Sequence, residues 1–118
     1  MNRIVQGVVL VLLLLGSANA QDPIKIFKMH IPVTETFVGC LYQSDAVAIT
    51  DALAKGDESV GVAKFNADVC RMVTWTVTYK ELVHITVGKN GEHITVYRGQ
   101  VNRKDIFVPM IGWTHEVI

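Results

Sequence analysis

The stretch CRMVTWTVTYKELVHITVGKNGEHITVYRG, residues 70–99, decides the fold. Over residues 71–79 apolar side chains alternate with threonine, the period of two that is typical of a half-buried strand. The inward face is predicted to carry Val73, Trp75, Val77 and Tyr79. Asn90-Gly91 lies between two further alternating runs, and this is the strongest short signal for a β-hairpin. The stretch therefore predicts an antiparallel sheet.

A two-residue turn at Asn90-Gly91 would set the register of this hairpin. It predicts three cross-strand pairs, Val87 with Ile94, Ile85 with Val96, and His84 with Tyr97. One face is then predicted to be buried, with Val83, Ile85, Val87, Ile94 and Val96. The other face is predicted to be wetter, with His84, Thr86, His93, Thr95 and Tyr97.

Upstream of the sheet, residues 44–56 (SDAVAITDALAKG) have the pattern of an amphipathic helix. Ser44 is the predicted cap and Gly56 the predicted stop, and apolar residues at spacings of three and four face a core. Residues 57–66 predict a second, looser helix. Pro109 argues for an edge position of the last strand. The predicted fold class is α+β, with one or two short helices packed on a curved antiparallel sheet.

Residues 1–20 have the features of a secretory signal peptide. Arg3 supplies a positive charge, residues 8–15 form a short apolar core, and residues 18–20 are an A-x-A cleavage pattern. The apolar core is much shorter than the roughly 20 residues that a membrane-spanning helix needs. We therefore predict cleavage of this segment, a single small domain over residues 21–118, a periplasmic or secreted location, and no stable membrane insertion afterwards.

The charge balance and the motifs exclude several classes of function. The chain has eleven basic and eleven acidic residues, so removal of Arg3 leaves one more acidic than basic residue. Such a balance gives no electrostatic reason to expect nucleic acid as a partner. The sequence contains no G-x-S-x-G, H-E-x-x-H or glycine-rich phosphate loop. We predict that the protein is not an enzyme and needs no cofactor.

The sequence has two cysteines, Cys40 and Cys70. In an oxidising compartment an even pair is most simply a disulfide, here closing a loop of about 30 residues that stabilises by roughly 3.5 kcal/mol. The competing interpretations are a reactive thiolate and a zinc ligand. Cys40 precedes the predicted cap Ser44 and so lies outside the first helical turn, and zinc sites usually show a close C-x-x-C pair. We predict the disulfide; a free thiol would instead allow a Cys–His hydrolase.

The four histidines are candidate metal ligands. His84 and His93 share a strand face, but the predicted register separates them by about 13 Å, too far for one zinc ion. His30 and His115 lie near opposite ends of the domain. No metal site is predicted.

Candidate partner contacts lie toward the C-terminal end. Tyr97 and Arg98, followed by Arg103 and Lys104, are a candidate binding patch, and the alternative is ordinary solvated sheet surface. Trp113 is a candidate anchor because exposed tryptophans often contribute to binding. The alternative is that Trp113 closes the bottom of the core.

From Cys40 to Trp113 the chain resembles small secreted bacterial proteins with an SH3-like β-barrel. The resemblance is carried by the first cysteine, the helix DALAKGDE, the second cysteine Cys70 opening a run of short strands, and the ending DIFVPMIGW. It implies a module that binds through aromatic residues between loops, here Tyr79, Tyr97 and Trp113. The strand before Cys40 has no place in that pattern, which leaves the topology open.

The expected function is that of a non-catalytic exported binding or assembly module. Its partner would be a protein, a peptide or a cell-wall component, and the sequence leaves the oligomeric state open. The alternative is a small disulfide-bonded inhibitor of a secreted enzyme such as a lysozyme or protease. An inhibitor would need a protruding loop held by the disulfide, whereas the bridged segment has a helical pattern.

Overall fold

The computed structural model describes residues 25–116, so the predicted signal peptide lies outside the described residues and stays a prediction. The elements in chain order are β1 (Lys25–Phe27), β2 (Val33–Cys40), α1 (Gln43–Ala54), α2 (Ser59–Asn66), β3 (Cys70–Val87), β4 (His93–Val101), β5 (Lys104–Ile111) and β6 (Trp113–His115). The predicted α+β class, with helices packed on a curved antiparallel sheet, is confirmed. Within residues 25–116 no helix has the length and apolar character needed to cross a membrane.

Strands β2 to β5 form a small closed barrel in the order β2-β3-β4-β5. The long strand β3 makes this possible, because its first half pairs with β2 and its second half pairs with β4. The β3–β4 register shifts between Tyr79 and Glu81 and again between Leu82 and His84. Such irregularities bend a strand and increase its twist, which closes a four-stranded sheet on itself.

The barrel closes between β2 and β5 at one point. Among residues 25–116 the two strands share a single residue pair, Cys40 with Phe107. Strand β5 otherwise pairs only with β4, so Pro109 lies where the strand is open on one side. This agrees with the edge position that the proline predicted.

Two clusters of buried side chains pack on opposite faces of β4, since successive residues of a strand point to opposite sides. The helix-side cluster lies under α1 and consists of Val38, Cys40, Ala46, Ile49, Cys70, Ile94, Val96 and Ile111. The aromatic-side cluster consists of Phe37, Val77, Tyr79, Tyr97, Ile106, Val108 and Met110. Strand β4 therefore lies between two cores.

The parallel pair of β1 and β6 is a separate two-stranded sheet beside the barrel. It brings Phe27 onto the aromatic-side cluster, with ring centroids 4.8 Å from Tyr79 and 4.7 Å from Tyr97. Trp113 packs at the same place, 6.4 Å from the Phe27 ring. The two chain ends of the described domain thus close the aromatic-side core.

Helix α1 begins at Gln43 with Tyr42 as its N-cap residue, and the cap makes no side-chain hydrogen bond. The prediction of Ser44 as the cap is therefore wrong by two residues. The predicted stop is confirmed, because Gly56 has a φ of 77°. Its N–H donates to Leu53 O and the N–H of Asp57 donates to Ala52 O, both at 2.9 Å, which is a Schellman ending.

The β3–β4 hairpin exists, but its predicted register is wrong. Gly88 N–H donates to Glu92 O at 2.9 Å, so the loop holds three residues and pairs Val87 with His93. A slip of one residue moves a strand's side chains to the other face. Val87 and Ile85 are consequently exposed, the latter to 53 %.

The predicted wetter face of β4 is also wrong. Thr95 and Tyr97 are buried, because the aromatic-side cluster covers the face that was expected to meet water. On the other face Ile94 and Val96 are buried under the helices, as predicted. A single alternating pattern cannot reveal a strand that is covered on both sides.

The predicted Cys40–Cys70 disulfide is confirmed. The two residues are directly opposite each other at the ends of β2 and β3, with 4.1 Å between their Cα atoms. Both are buried in the helix-side cluster. The bridge ties the entrance of α1 to the start of the long strand. A buried disulfide is consistent with an extracellular or otherwise oxidising compartment.

Candidate functional site

The structure places two of the predicted partner contacts in the interior. Tyr79 is 0 % and Tyr97 is 1 % exposed, so neither ring is presented at the outer surface. Burial raises the pKa of both phenols, and at Tyr79 a hydrogen bond to Glu35 adds to the effect. The Tyr97 hydroxyl lies 2.9 Å from His115 Nδ1. Both residues therefore belong to the core, and their predicted role in partner binding stays a prediction.

Arg98 and Trp113 lie nearer the surface, and their predicted binding roles stay predictions. The Arg98 guanidinium contacts Glu81 at 2.8 Å and Asp105 at 3.2 Å, and the pKa of Arg98 is raised mainly by the bond to Glu81. Trp113 is half-buried beside Phe27. Trp113 therefore fits the alternative in which it helps to close the core.

Two of the histidines contact side chains of other secondary-structure elements. His84 Nε2 lies 2.8 Å from Asp51 Oδ1, joining β3 to α1, and His115 contacts Tyr97. Within residues 25–116 no three side chains of His, Cys, Asp or Glu come together as a metal-binding group. The expectation that the protein binds no metal stays a prediction.

An open groove lies between the loop after β2, strand β3 and the β4–β5 turn. We call it the Trp75 groove; its volume is about 470 Å³ and it is lined by Leu41, Trp75, Thr76, Val101, Asn102, Lys104, Asp105 and Ile106. Trp75 is 41 % exposed and Leu41 is 60 % exposed. Two large apolar side chains therefore meet solvent together, on a rim that also carries charged groups.

Trp75 points to the predicted face but lies outside the core. Residues Val77 and Tyr79 follow it on the same face of β3 and are fully buried. The Trp75 ring meets Phe37 edge-on at 6.4 Å, at the border of the aromatic-side cluster. Alternation predicted the direction of the side chain and missed its exposure, which depends on where the barrel ends.

The turn beside the groove has an unusual backbone. Val101 pairs with Lys104, so Asn102 and Arg103 form a two-residue hairpin loop, with φ angles of 51° and 67°. Asparagine tolerates this left-handed region, but for arginine it costs roughly 1–2 kcal/mol. The loop presents Arg103 in the open, next to the exposed Lys104. The sequence predicts Arg103 and Lys104 as part of a candidate binding patch, without this backbone conformation.

A second cleft, which we call the seam cleft, lies between β2 and β5, where the barrel strands are not paired. Its volume is about 230 Å³ and its lining consists of Phe27, Glu35, Thr36, Phe37, Val38, Met72, Tyr79, Val108, Pro109, Met110, Ile111 and Trp113. It shares no lining residue with the Trp75 groove. Glu35 is the one charged side chain in this lining, and its carboxylate accepts a hydrogen bond from the Tyr79 hydroxyl.

Little in the amino-acid sequence predicts either the Trp75 groove or the seam cleft. A tryptophan in an alternating strand is more often core than surface, and nothing in its neighbours marks the barrel end. Glu35 lies in residues 34–40, TETFVGC, where the sequence predicts no site residue other than Cys40. A carboxylate two residues before a buried phenylalanine, on the same strand face, is the one signal that was present.

No protein-family model, curated protein or solved structure matches this chain. The described residues form a small barrel with two helices, which is compatible with the expected barrel fold, and no comparison identifies a family.

Proposed function

We propose that this protein is a non-catalytic, exported binding module that holds a protein partner in the Trp75 groove. The observation that supports this proposal is that Trp75 and Leu41 are both exposed to solvent in one groove of a disulfide-bonded barrel. Tryptophan is among the residues most enriched at the energetic centres of protein interfaces. Burial of this pair by a partner would remove a large apolar area from water.

The surroundings of Trp75 support a protein as the partner. The groove centre is apolar, with Val101 and Ile106, whereas its rim carries Asn102, Lys104 and Asp105. An apolar centre inside a polar rim is the usual anatomy of a protein interface. The rim itself carries one positive and one negative charge, Lys104 and Asp105, and the exposed Arg103 in the adjoining turn adds a second positive charge. This balance favours a partner whose contact surface is acidic around an apolar side chain.

The groove is also held by rigid elements. Leu41 directly follows the bridged Cys40, and Leu41 N–H donates to Val69 O at 2.9 Å. Trp75 is in the part of β3 that pairs with β2. A site that is already ordered loses little conformational entropy when it binds, so more of the contact energy remains as affinity. Export is supported by the signal-like N-terminus and the buried disulfide.

A second candidate, the inhibitor of a secreted enzyme, is favoured by one observation. The β4–β5 turn holds Arg103 in a fixed, exposed and strained conformation, and strained residues often lie at functional positions. An inhibitor would lower the rate of a target lysozyme or trypsin-like protease at near-stoichiometric concentration, and Arg103→Ala would abolish this. A binding module leaves those rates unchanged.

The proposal is tested by photo-crosslinking in the cells that produce the protein. One chain carries p-benzoylphenylalanine in place of Leu41, inside the groove, and the control chain carries it in place of Ile85, exposed on the far half of β3. We expect one discrete protein adduct from position 41 that is absent from position 85 and disappears when Trp75→Ala is added. Identical adducts from both positions, or an adduct that does not depend on Trp75, would refute a specific groove.

A further inference from the structure

The seam cleft is a second, separate opening of the barrel. Below the Cys40–Phe107 pair, strands β2 and β5 face each other without further pairs among the described residues, and the cleft of about 230 Å³ lies between them. That volume suits one side chain or a molecule of similar size. The cleft and the Trp75 groove have no lining residue in common, although Glu35 of the cleft is paired with Trp75 across β2 and β3.

The walls of the seam cleft are apolar and adaptable. Phe27 and Trp113 contribute aromatic rings, and Met72 and Met110 contribute flexible thioether side chains. Methionine adapts to ligands of different shape, and aromatic ring faces attract cations. Long basic side chains bury their aliphatic stems along surfaces of this kind while the charged end finds a polar partner.

The one charged group in this lining is the carboxylate of Glu35. It accepts a hydrogen bond from Tyr79, and within residues 25–116 it takes part in no ion pair. The Tyr79 hydroxyl keeps its proton, because burial and the neighbouring Glu35 both raise the pKa of the phenol. A fixed donor therefore orients the carboxylate without neutralising its charge. A negative group beside apolar walls favours a positively charged ligand.

We propose that the seam cleft binds a lysine or arginine side chain of a partner polypeptide. The ammonium or guanidinium group pairs with Glu35, and the aliphatic stem lies along Met110 and the aromatic wall. An anionic group would be repelled by Glu35. A neutral apolar side chain would fill the same volume but leave the carboxylate without a counter-charge, so it binds more weakly.

The test is an NMR titration of the disulfide-bonded protein with matched short peptides. The probes are Ac-Gly-Lys-Gly-NH2, its arginine equivalent, and the norleucine equivalent, which has the lysine stem without the ammonium. We expect the basic peptides to shift amide signals of residues 35–38 and 108–111 and to bind about tenfold more tightly than the norleucine peptide, since a charge-assisted hydrogen bond is worth that much. Equal binding of all three peptides, or shifts confined to other regions, would overturn the proposal.

Variants assign the effect to the carboxylate. Glu35→Gln retains an oxygen that can accept from Tyr79, so the fold is kept while the charge is lost, and the lysine peptide should bind only as well as the norleucine peptide. Glu81→Gln is the matched control, because this carboxylate lies outside the cleft on Arg98. Tyr79→Phe keeps the negative charge of Glu35 and removes only the hydrogen bond that its carboxylate accepts from Tyr79. This variant should therefore retain the preference for lysine. Full lysine affinity in Glu35→Gln would contradict the assignment.

One further titration distinguishes a polypeptide ligand from a free amine ligand. Cadaverine, a diamine of lysine-like length, presents the same ammonium without a peptide backbone. We expect it to bind more weakly than the lysine peptide. Tight binding of cadaverine together with no binding of the peptides would show a polyamine site instead, and would overturn the polypeptide assignment while leaving the Trp75 groove unaffected.

Discussion

The two tryptophans of this chain have opposite environments. Trp75 is 41 % exposed at the border of the core, whereas Trp113 is half-buried against Phe27 in the seal of the aromatic-side cluster. Buried aromatic side chains contribute several kilocalories per mole to folding, and exposed ones contribute little. The two residues therefore differ in how much packing each would lose on substitution.

Alanine substitution of each tryptophan should give different losses of stability. Trp75→Ala should change the free energy of unfolding by about 1 kcal/mol or less, because little packing is lost at an exposed site. Trp113→Ala should cost roughly 2–3 kcal/mol, since it removes a ring from a partly buried aromatic contact. Urea unfolding followed by circular dichroism measures both. Equal losses would mean that Trp75 is a core residue.

A second prediction at the residue scale concerns the strained turn. Arg103→Gly should stabilise the protein by about 0.5–1 kcal/mol, because glycine has no Cβ penalty at φ 67° but loses more entropy on folding. Lys104→Gly is the matched control; it lies at the start of β5 outside the left-handed region and should destabilise. Loss of stability in Arg103→Gly would show that the arginine side chain itself supports the fold.

At the scale of elements, the sequence located the hairpin and missed its register. Asn90-Gly91 marks a turn because Gly91 adopts a φ of 81°, but a left-handed glycine serves two-residue and three-residue loops equally. The hydrogen bond between Gly88 and Glu92 selects the longer loop. Turn residues therefore predict where a chain reverses. They do not predict the strand register, because a loop that is longer by one residue exchanges the buried and exposed faces of a strand.

The second feature that the sequence does not predict is which strand residues are buried by other elements. Tyr97 is buried because β1, distant in sequence, brings Phe27 across it. Trp75 is exposed because the cluster that covers Val77 ends before it. Both outcomes follow from the position of a residue along the barrel, which a period of two does not encode. The disulfide and the stop at Gly56 were predictable because compartment and backbone chemistry determine them locally.

The start of α2 carries a pH-dependent prediction. Asp57 Oδ1 accepts from the N–H of Ser59 at 2.9 Å and from its hydroxyl at 2.6 Å, and these bonds lower the pKa of Asp57. A lowered pKa in the folded state means that the stabilisation is present above about pH 4 and is lost as the pH falls through the lowered value.

Asp57→Ala should consequently lower the melting temperature at pH 7, and its difference from the parent protein should shrink toward zero as the pH falls through the lowered pKa of Asp57. Thermal melts between pH 2.5 and pH 7 measure this. Glu58→Ala serves as the control, since the Glu58 side chain makes no cap hydrogen bond. A loss for Asp57→Ala that persists unchanged at low pH would contradict capping by the carboxylate.

At the scale of the whole molecule, the disulfide joins the helical segment to the barrel where β2 and β3 begin to separate. The exported protein should have an intact mass about 2 Da below that of its reduced form after loss of residues 1–20, reflecting one bridge. Reduction should destabilise the fold by roughly 3–4 kcal/mol, given a sequence separation of 30. A native protein that is readily alkylated at Cys40 or Cys70 would contradict the bridge.

The proposed anchor Trp75 lies outside the buried core of the molecule, so its removal should leave the fold intact. The measurement that tests the anchor role most directly is the dissociation constant of the crosslinked partner, purified, for the parent protein, Trp75→Ala and Ile85→Ala. Trp75→Ala should weaken binding by about 30-fold or more, as expected for an interface anchor, and Ile85→Ala should stay within about twofold. Unchanged affinity in a folded Trp75→Ala protein would contradict the account.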